Sequence, residues 1–398
     1  MARLQRNARS IRMHTIYIQL STIVLCREYY FFAMKIHRQH ILRAHGLQLF
    51  ALALFSLCAV QTRAQQQDIF TTAPFASCHA STVVELHNGD LLASWFGGTA
   101  EGRPDVAIWS AQRHDGVWSA PREVVREHEI ATFNPVLFHT RDGRLWLYYK
   151  YGPHPTSWSA GRLFSTDEGA TWSKPEHLPA GILGPIRAKP LILADGIIVS
   201  GSSIESYHLW AAWIERSRDN GRTWSKIGPI TAPAKEASAG ETPESSANTL
   251  KQFDVNQTIG IIQPSVVELP HGRLRFYARS TAYTGKIVIA DSKDRGKTWS
   301  PSRAIDVPNP NSGIDAVSLK DGRVVLVYND TPKGRTPLNL AISRDGEHFT
   351  MFKTLESGPG EFSYPSMIVG KNGDLHITYT WNRKHIRYFH LVASEIPR

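Results

Sequence analysis

A tyrosine, a histidine, two acids and a scatter of cations carry the chemistry this sequence can do. Tyr364, in Ser363-Tyr364-Pro365-Ser366, becomes a nucleophile once a base or a cationic neighbourhood draws off its proton. His79 is a neutral base near neutral pH. Asp105 and Glu101 share the stretch Glu101-Gly-Arg103-Pro-Asp105, and either can protonate a leaving oxygen if desolvation raises its carboxyl pKa. Arg279, Arg335, Lys150 and Lys189 form a cation set, with Arg187 and Arg383 as further members. Convergent cations suit a carboxylate, sulfate or phosphate, and a guanidinium grips a carboxylate through two parallel hydrogen bonds. Gln263 and Asn134 add neutral polar groups, while Trp158 and Trp381 either stack on a sugar ring or fill hairpin cores.

Only a repeated frame brings these positions to one place. Ser165-Thr-Asp167-Glu-Gly169-Ala-Thr-Trp172 matches Ser217-Arg-Asp219-Asn-Gly221-Arg-Thr-Trp224 and Ser292-Lys-Asp294-Arg-Gly296-Lys-Thr-Trp299. Weaker copies run from Ser343 to Phe349 and from Ser110 to Trp118. In such a box Ser and Asp accept backbone N–H bonds, Gly takes positive φ and Trp packs the hairpin on its neighbour. These residues are therefore structural. A strand, an Asp-Gly or Asn-Gly type turn and a second strand recur around Gly89, Gly143, Gly196, Gly272, Gly322 and Gly373, at spacings of 54, 53, 76, 50 and 51 residues. Six units of about 50 residues imply an all-β, six-bladed β-propeller over residues 65–398, since one unit cannot bury both of its faces. A strand within Gln65 to Phe75 is expected to complete the last unit. The long interval is expected to hold a surface loop at about 230–260.

Strand one of each unit starts, and strand two ends, at the same mouth. His79, Asn134, Lys189, Gln263, the Gly313–Asp315 region and Tyr364 are the starts. Phe96, Lys150, Ser203, Arg279, Asn329 and Thr380 are the ends. Structural repeats would carry apolar or turn residues there, so a ring of polar and charged groups marks a binding site, or else a plain water-filled channel.

The chain has 398 residues and a net charge of +10, with 45 Lys and Arg against 35 Asp and Glu. Residues 1–64 hold nine of the bases and one of the acids, leaving 36 against 34 for the rest. The basicity belongs to the leader, which removes the argument for nucleic-acid binding. Met34 to Ala64 reads as a signal peptide, with Lys35, Arg38 and Arg43 ahead of apolar Leu47 to Val60 and a small-x-small site at Thr62-Arg63-Ala64. Residues 1–33 read as an upstream extension, with Met34 the true start. A lipoprotein signal around Cys58 fits less well, because bulky Leu57 precedes it. The expectation is an exported, periplasmic or extracellular monomer with no stable membrane insertion. Of three cysteines only Cys78 follows the leader, so no internal disulfide is expected. No metal or cofactor is expected from the scattered histidines His114, His139, His154 and His208. Carboxylate-rich loops need no fixed motif for calcium, which leaves a structural Ca²⁺ open.

The boxes, the six units and the leader together resemble the sialidase (neuraminidase) superfamily with bacterial neuraminidase repeats, over essentially all of residues 68–391. The resemblance implies a secreted glycosidase that holds a substrate carboxylate with three arginines and uses a Tyr assisted by Glu as nucleophile and an Asp as acid/base. Arg279 matches the second arginine and Arg335 the third, Tyr364 the nucleophile and Asp105 the acid/base. Two positions depart. The first arginine opens an Arg-Ile-Pro motif, where this chain reads His79-Ala80-Ser81, and the assisting Glu falls on Gln263, which accepts no proton. The expected partner is an acidic glycan or oligosaccharide carrying a sialic, ulosonic or uronic sugar. Three readings stay open: a hydrolase, a lyase that eliminates across a uronate, with His79 or Tyr364 taking the C5 proton, and a propeller that binds carbohydrate without cutting it.

Overall fold

The computed structural model describes residues 65–206, 209–233 and 259–398. The extension and the signal peptide expected in residues 1–64 lie outside the described residues, as do residues 234–258 of the expected surface loop. The described residues contain strands and three single-turn 3₁₀ segments but no α-helix, so none is long and apolar enough to cross a membrane.

The strands form six antiparallel meanders among the described residues. The first runs Ser77–Glu85, Leu91–Gly98, Ala107–His114, whose outer edge carries Val117–Trp118 and Arg122–Val125. The second is Thr132–His139, Leu145–Tyr151, Ser159–Ser165 and Glu176–His177. The third is Leu191–Ile192, Ile198–Glu205, Leu209–Ser217 and Ser225–Ile230. The fourth is Ile259–Leu269, Arg273–Ser280, Lys286–Ser292 and Arg303–Pro308. A short parallel pairing of Leu209 with Ile259 joins the third and fourth into one sheet. The fifth is Asp315–Ser318, Val324–Tyr328, Leu338–Ser343 and Thr350–Glu356. The sixth takes Phe362–Val369, Leu375–Trp381 and His385–Leu391 from the end of the chain. Its outer strand is Gln65–Asp68, paired antiparallel with His385–Leu391. The expected N-terminal strand is therefore present, and it ties the start of the described chain to its end.

Apolar side chains between neighbouring meanders hold this arrangement together. One core packs Leu92, Phe96 and Ile108 of the first against Phe133, Leu147 and Tyr149 of the second, all buried. Others join the fourth to the fifth and the fifth to the sixth. Burying one such side chain contributes roughly 1.5–3 kcal/mol.

The boxes close the outer turns as their composition requires. Ser165 Oγ accepts the Gly169 N–H at 2.8 Å, and Asp167 accepts from Thr171 N and Oγ1 at 2.8 and 2.6 Å. Ser217–Asp219 and Ser292–Asp294 repeat the pattern, and Ser343–Asp345 keeps it with one residue fewer. These donors hold the Asp167 and Asp294 carboxyls down at about 2, the chief donor being Thr171 for the first and Thr298 for the second. Each box docks on the preceding meander: Tyr148 Oη donates to Gly221 O at 3.2 Å and Tyr277 Oη to Gly346 O at 2.6 Å. The expected fifth box, Ser110 to Trp118, is a different structure. Asp115 and Gly116 both take positive φ, 48° and 84°, in a two-residue hairpin turn between the paired residues His114 and Val117.

Candidate functional site

Four inner strands break register at the same place. The bulges lie between His79 and Thr82, Phe133 and Val136, Ile262 and Ser265, and Ser363 and Ser366. In each, the first unpaired residue is left-handed: Ala80 at φ 54°, Asn134 at 39°, Gln263 at 56° and Tyr364 at 50°. A bulge re-aims the side chains around it, and non-glycine residues adopt this conformation only when the surroundings hold them there. In three of the four a proline follows (Pro135, Pro264, Pro365), which lacks the N–H that the ladder would need. That recurring X-Pro pair was a readable sequence signal for the bulge.

The bulges bring Tyr364, Gln263, Arg279 and His79 together as the sequence implied. Arg279 Nη1 donates to Tyr364 Oη at 2.6 Å and to Gln263 Oε1 at 3.4 Å, while Gln263 Nε2 donates to Tyr364 Oη at 3.3 Å. Asn311 Oδ1 fixes the same guanidinium by accepting from Nε at 2.8 Å. The His79 ring lies 4.2 Å from the Tyr364 ring, centroid to centroid, with Nδ1 2.9 Å from Thr380 Oγ1 and Nε2 buried without a hydrogen-bond partner among the described residues. Arg187, Arg279 and Arg335 place their guanidinium carbons 5.3, 5.6 and 5.5 Å from the Tyr364 ring centre. Arg187 is buried beneath it, donating to Ile314 O at 2.6 Å and to Pro365 O. Gly313 makes room for this packing, since a Cβ there would sit 3.3 Å from Arg187 Nε and 3.4 Å from the tyrosine ring.

A second group of residues orders the rim. Glu361 accepts from Arg335 Nη1 at 2.7 Å and from Arg383 Nε at 3.1 Å, and Arg383 also pairs with Glu101 at 2.5 Å. Burial pushes the Glu361 carboxyl up, but Arg335 and Arg383 outweigh it and hold the group below its ordinary value. Glu361 was not singled out from sequence, although it stands only three residues before Tyr364.

The electrostatics change the roles open to the acids and bases. Burial, followed by the charges of Arg383, Arg335, Arg187 and Arg279, drives the His79 pKa well below 6.5. It is neutral, as expected, yet a weak base. Asp105 is exposed and accepts from Thr99 N and Oγ1 at 2.7 and 2.5 Å, bonds that hold its carboxyl ionised. Glu205, half-buried at the end of its strand, moves the other way. Desolvation lifts it to about 7, aided by Glu101 and opposed by Arg279. Its strand partner is Trp210, whose ring lies 5.9 Å from the Arg279 guanidinium.

Two predicted ligands take other places. Lys150 is fully buried and donates to Pro185 O, and burial lowers its pKa to about 7 against the pull of Glu215. Lys189 pairs with Asp315 at 3.0 Å and borders a separate cavity of about 750 Å³, lined also by Val266, Leu269, Ala316 and Ile368. Asn134 is buried in its bulge, and its Nδ2 has no hydrogen-bond partner among the described residues. Cys78 is free and buried, and burial pushes its thiol up to about 12, which removes it as a nucleophile.

Comparison with known proteins places this geometry in a family setting. Residues 89–377 match the model of the family described as BNR repeat-like domain. A sialidase of Bacteroides fragilis (strain YCH46) is 26% identical over 199 residues, 46% of this chain and 31% of that protein. The chain thus spans about a third of that curated relative's length. A protein of unknown function from Dyadobacter fermentans DSM 18053 superposes with a TM-score of 0.66 at 18% identity, over 83% of this chain and 99% of that one. The NanB sialidase of Streptococcus pneumoniae gives 0.63 at 14% identity, over 83% and 71%. At these identities the likeness speaks for the fold alone, an all-β fold of the kind found in sialidases.

Proposed function

We propose, from the premise that this chain belongs to the BNR repeat-like domain family of the sialidase superfamily, that it is an exported glycoside hydrolase removing a terminal acidic sugar from a glycan. The six meanders are the blades of a six-bladed propeller, and Tyr364 stands at the mouth of its axis. The observation that carries this reading is the arginine field on Tyr364: one guanidinium donates to Oη and three surround the ring. Preorganised donors of this kind stabilise negative charge as it develops on the nucleophile.

In this scheme Arg279 and Arg335 bind the sugar carboxylate, with Arg335 and Arg383 held in place by Glu361. Tyr364 Oη attacks the anomeric carbon and the glycosidic C–O bond breaks. The phenol proton leaves to water at the mouth, and Arg279 supports the oxygen as it loses that proton. Glu205, protonated below about 7, gives its proton to the departing oxygen. As a carboxylate it then activates the water that cleaves the tyrosyl intermediate. Asp105 is the rival donor once a substrate draws it from Thr99. His79 orients the tyrosine ring and stays neutral, because burial and the surrounding arginines disfavour an imidazolium.

A second reading, carbohydrate binding without turnover, is favoured by Gln263, an amide where the resemblance implies the assisting carboxylate. The two separate when the purified protein is given sialosides, ulosonic-acid glycosides and uronate polymers. Released acidic sugar supports the hydrolase. Binding without release supports the second reading, and an unsaturated uronate, seen by its ultraviolet absorbance, would transfer the protein to the lyases.

A further inference from the structure

We propose that His87, His139 and Glu168 form a site for a transition-metal dication of the zinc class, which joins the first meander to the second at the end remote from Tyr364. The three residues come from three separate places in the sequence. His87 lies in the turn after Ser77–Glu85, His139 ends Thr132–His139, and Glu168 belongs to the box that docks on the first meander. Spacing alone could not reveal them, and His139 read as an isolated surface residue.

Their ligand atoms all lie within 4.8 Å of one another. His87 Nδ1 is 2.6 Å from Glu168 Oε1, and His139 Nε2 is 3.7 Å from the same oxygen. Bonds of about 2.0–2.1 Å at tetrahedral angles set ligand atoms about 3.4 Å apart. The observed separations straddle that value, so side-chain shifts of about an ångström would complete the set. Glu168 is held for this purpose from behind, with a φ of 59° and Oε2 accepting the His87 backbone N–H at 2.9 Å.

The feature that points to a ligand is His139. Its Nε2 is shut off from solvent and has no hydrogen-bond partner among the described residues. A buried nitrogen in that state needs an explanation, and a lone pair directed at a cation gives one. The Lys371 ammonium is tied down by Leu86 O at 3.0 Å and His87 O at 2.8 Å. Two imidazoles and one carboxylate suit zinc, whereas calcium and magnesium prefer all-oxygen sets. His87 remains 63% exposed, leaving room for water in the fourth position.

The test is titration of the chelator-stripped full chain with Zn²⁺ by calorimetry and with Co²⁺ by visible absorption, alongside thermal melts. The expected result is one ion per chain, a higher melting temperature with zinc, and a cobalt spectrum of tetrahedral type. His87→Ala, in an exposed turn, and Glu168→Gln should each weaken binding at least about tenfold. Absence of saturable uptake would overturn the proposal. So would uptake unchanged in both variants, or calcium bound as tightly as zinc.

Discussion

At one end of the meanders the repeat keeps its residues, and at the other it keeps only its backbone. Ser217, Asp219 and Gly221 make the same hydrogen bonds as Ser292, Asp294 and Gly296. All of them are satisfied by their own turn. At the opposite end Ala80, Asn134, Gln263 and Tyr364 share one bulge and one left-handed conformation, yet no two are alike. Their partners also lie far away in sequence, Tyr364 touching residues 85 and 101 positions distant. A shared backbone with divergent side chains is what a site grafted on a repeat looks like, while shared side chains that bond locally are scaffold.

That contrast can be broken by substitution, and beyond Tyr364 itself the largest effect belongs to Arg279. Arg279→Ala should lower kcat/KM on an acidic glycoside by about 10²–10³-fold, because it removes a donor from the reacting oxygen and from the substrate clamp. Steady-state kinetics on the released sugar will show it. Glu361→Gln should act mainly through KM, raising it by about tenfold as Arg335 and Arg383 lose their common anchor. A box variant should do the reverse. Ser217→Ala leaves a buried Gly221 N–H without its acceptor and should cost about 1–3 kcal/mol in chemical denaturation, with kinetics unchanged.

Glu205 supplies the most specific effect. If it is the acid, kcat/KM falls as pH rises through about 7, and Glu205→Gln abolishes that limb. A donor at Asp105, held below its ordinary value, would place the limb well to the acid side. The stability sense agrees. The folded carboxyl protonates at about 7 rather than 4.5, so its contribution is complete below 4.5 and lost as pH rises through about 7.

Much of the scaffold was legible because its signals are local: a turn glycine, an Asp and Ser that fold back on themselves, a strand at Gln65–Asp68 that completes the sixth meander. Tyr364, Arg279, Gln263 and His79 were legible because they depart from the repeat. Lys150 answers to the same count, since it pairs with the residue ahead of its bulge just as Arg279 does. Its ammonium is nevertheless fully buried and donates to Pro185 O, a contact that the repeat does not encode. Arg187 was legible as a further cation, but its seat beneath Tyr364, like the raised carboxyl of Glu205 and the pairing of His87 with His139, depends on contacts between meanders, which no spacing within one unit encodes.

The most direct test of the account removes one oxygen. Tyr364→Phe keeps the ring among its three arginines and takes away the proposed nucleophile. With a substrate released by the native protein, the variant should bind within a few-fold of native affinity while turnover drops by at least about 10³-fold. Turnover that survives the substitution would contradict a tyrosine nucleophile and, with it, the reading of this mouth as a hydrolase site.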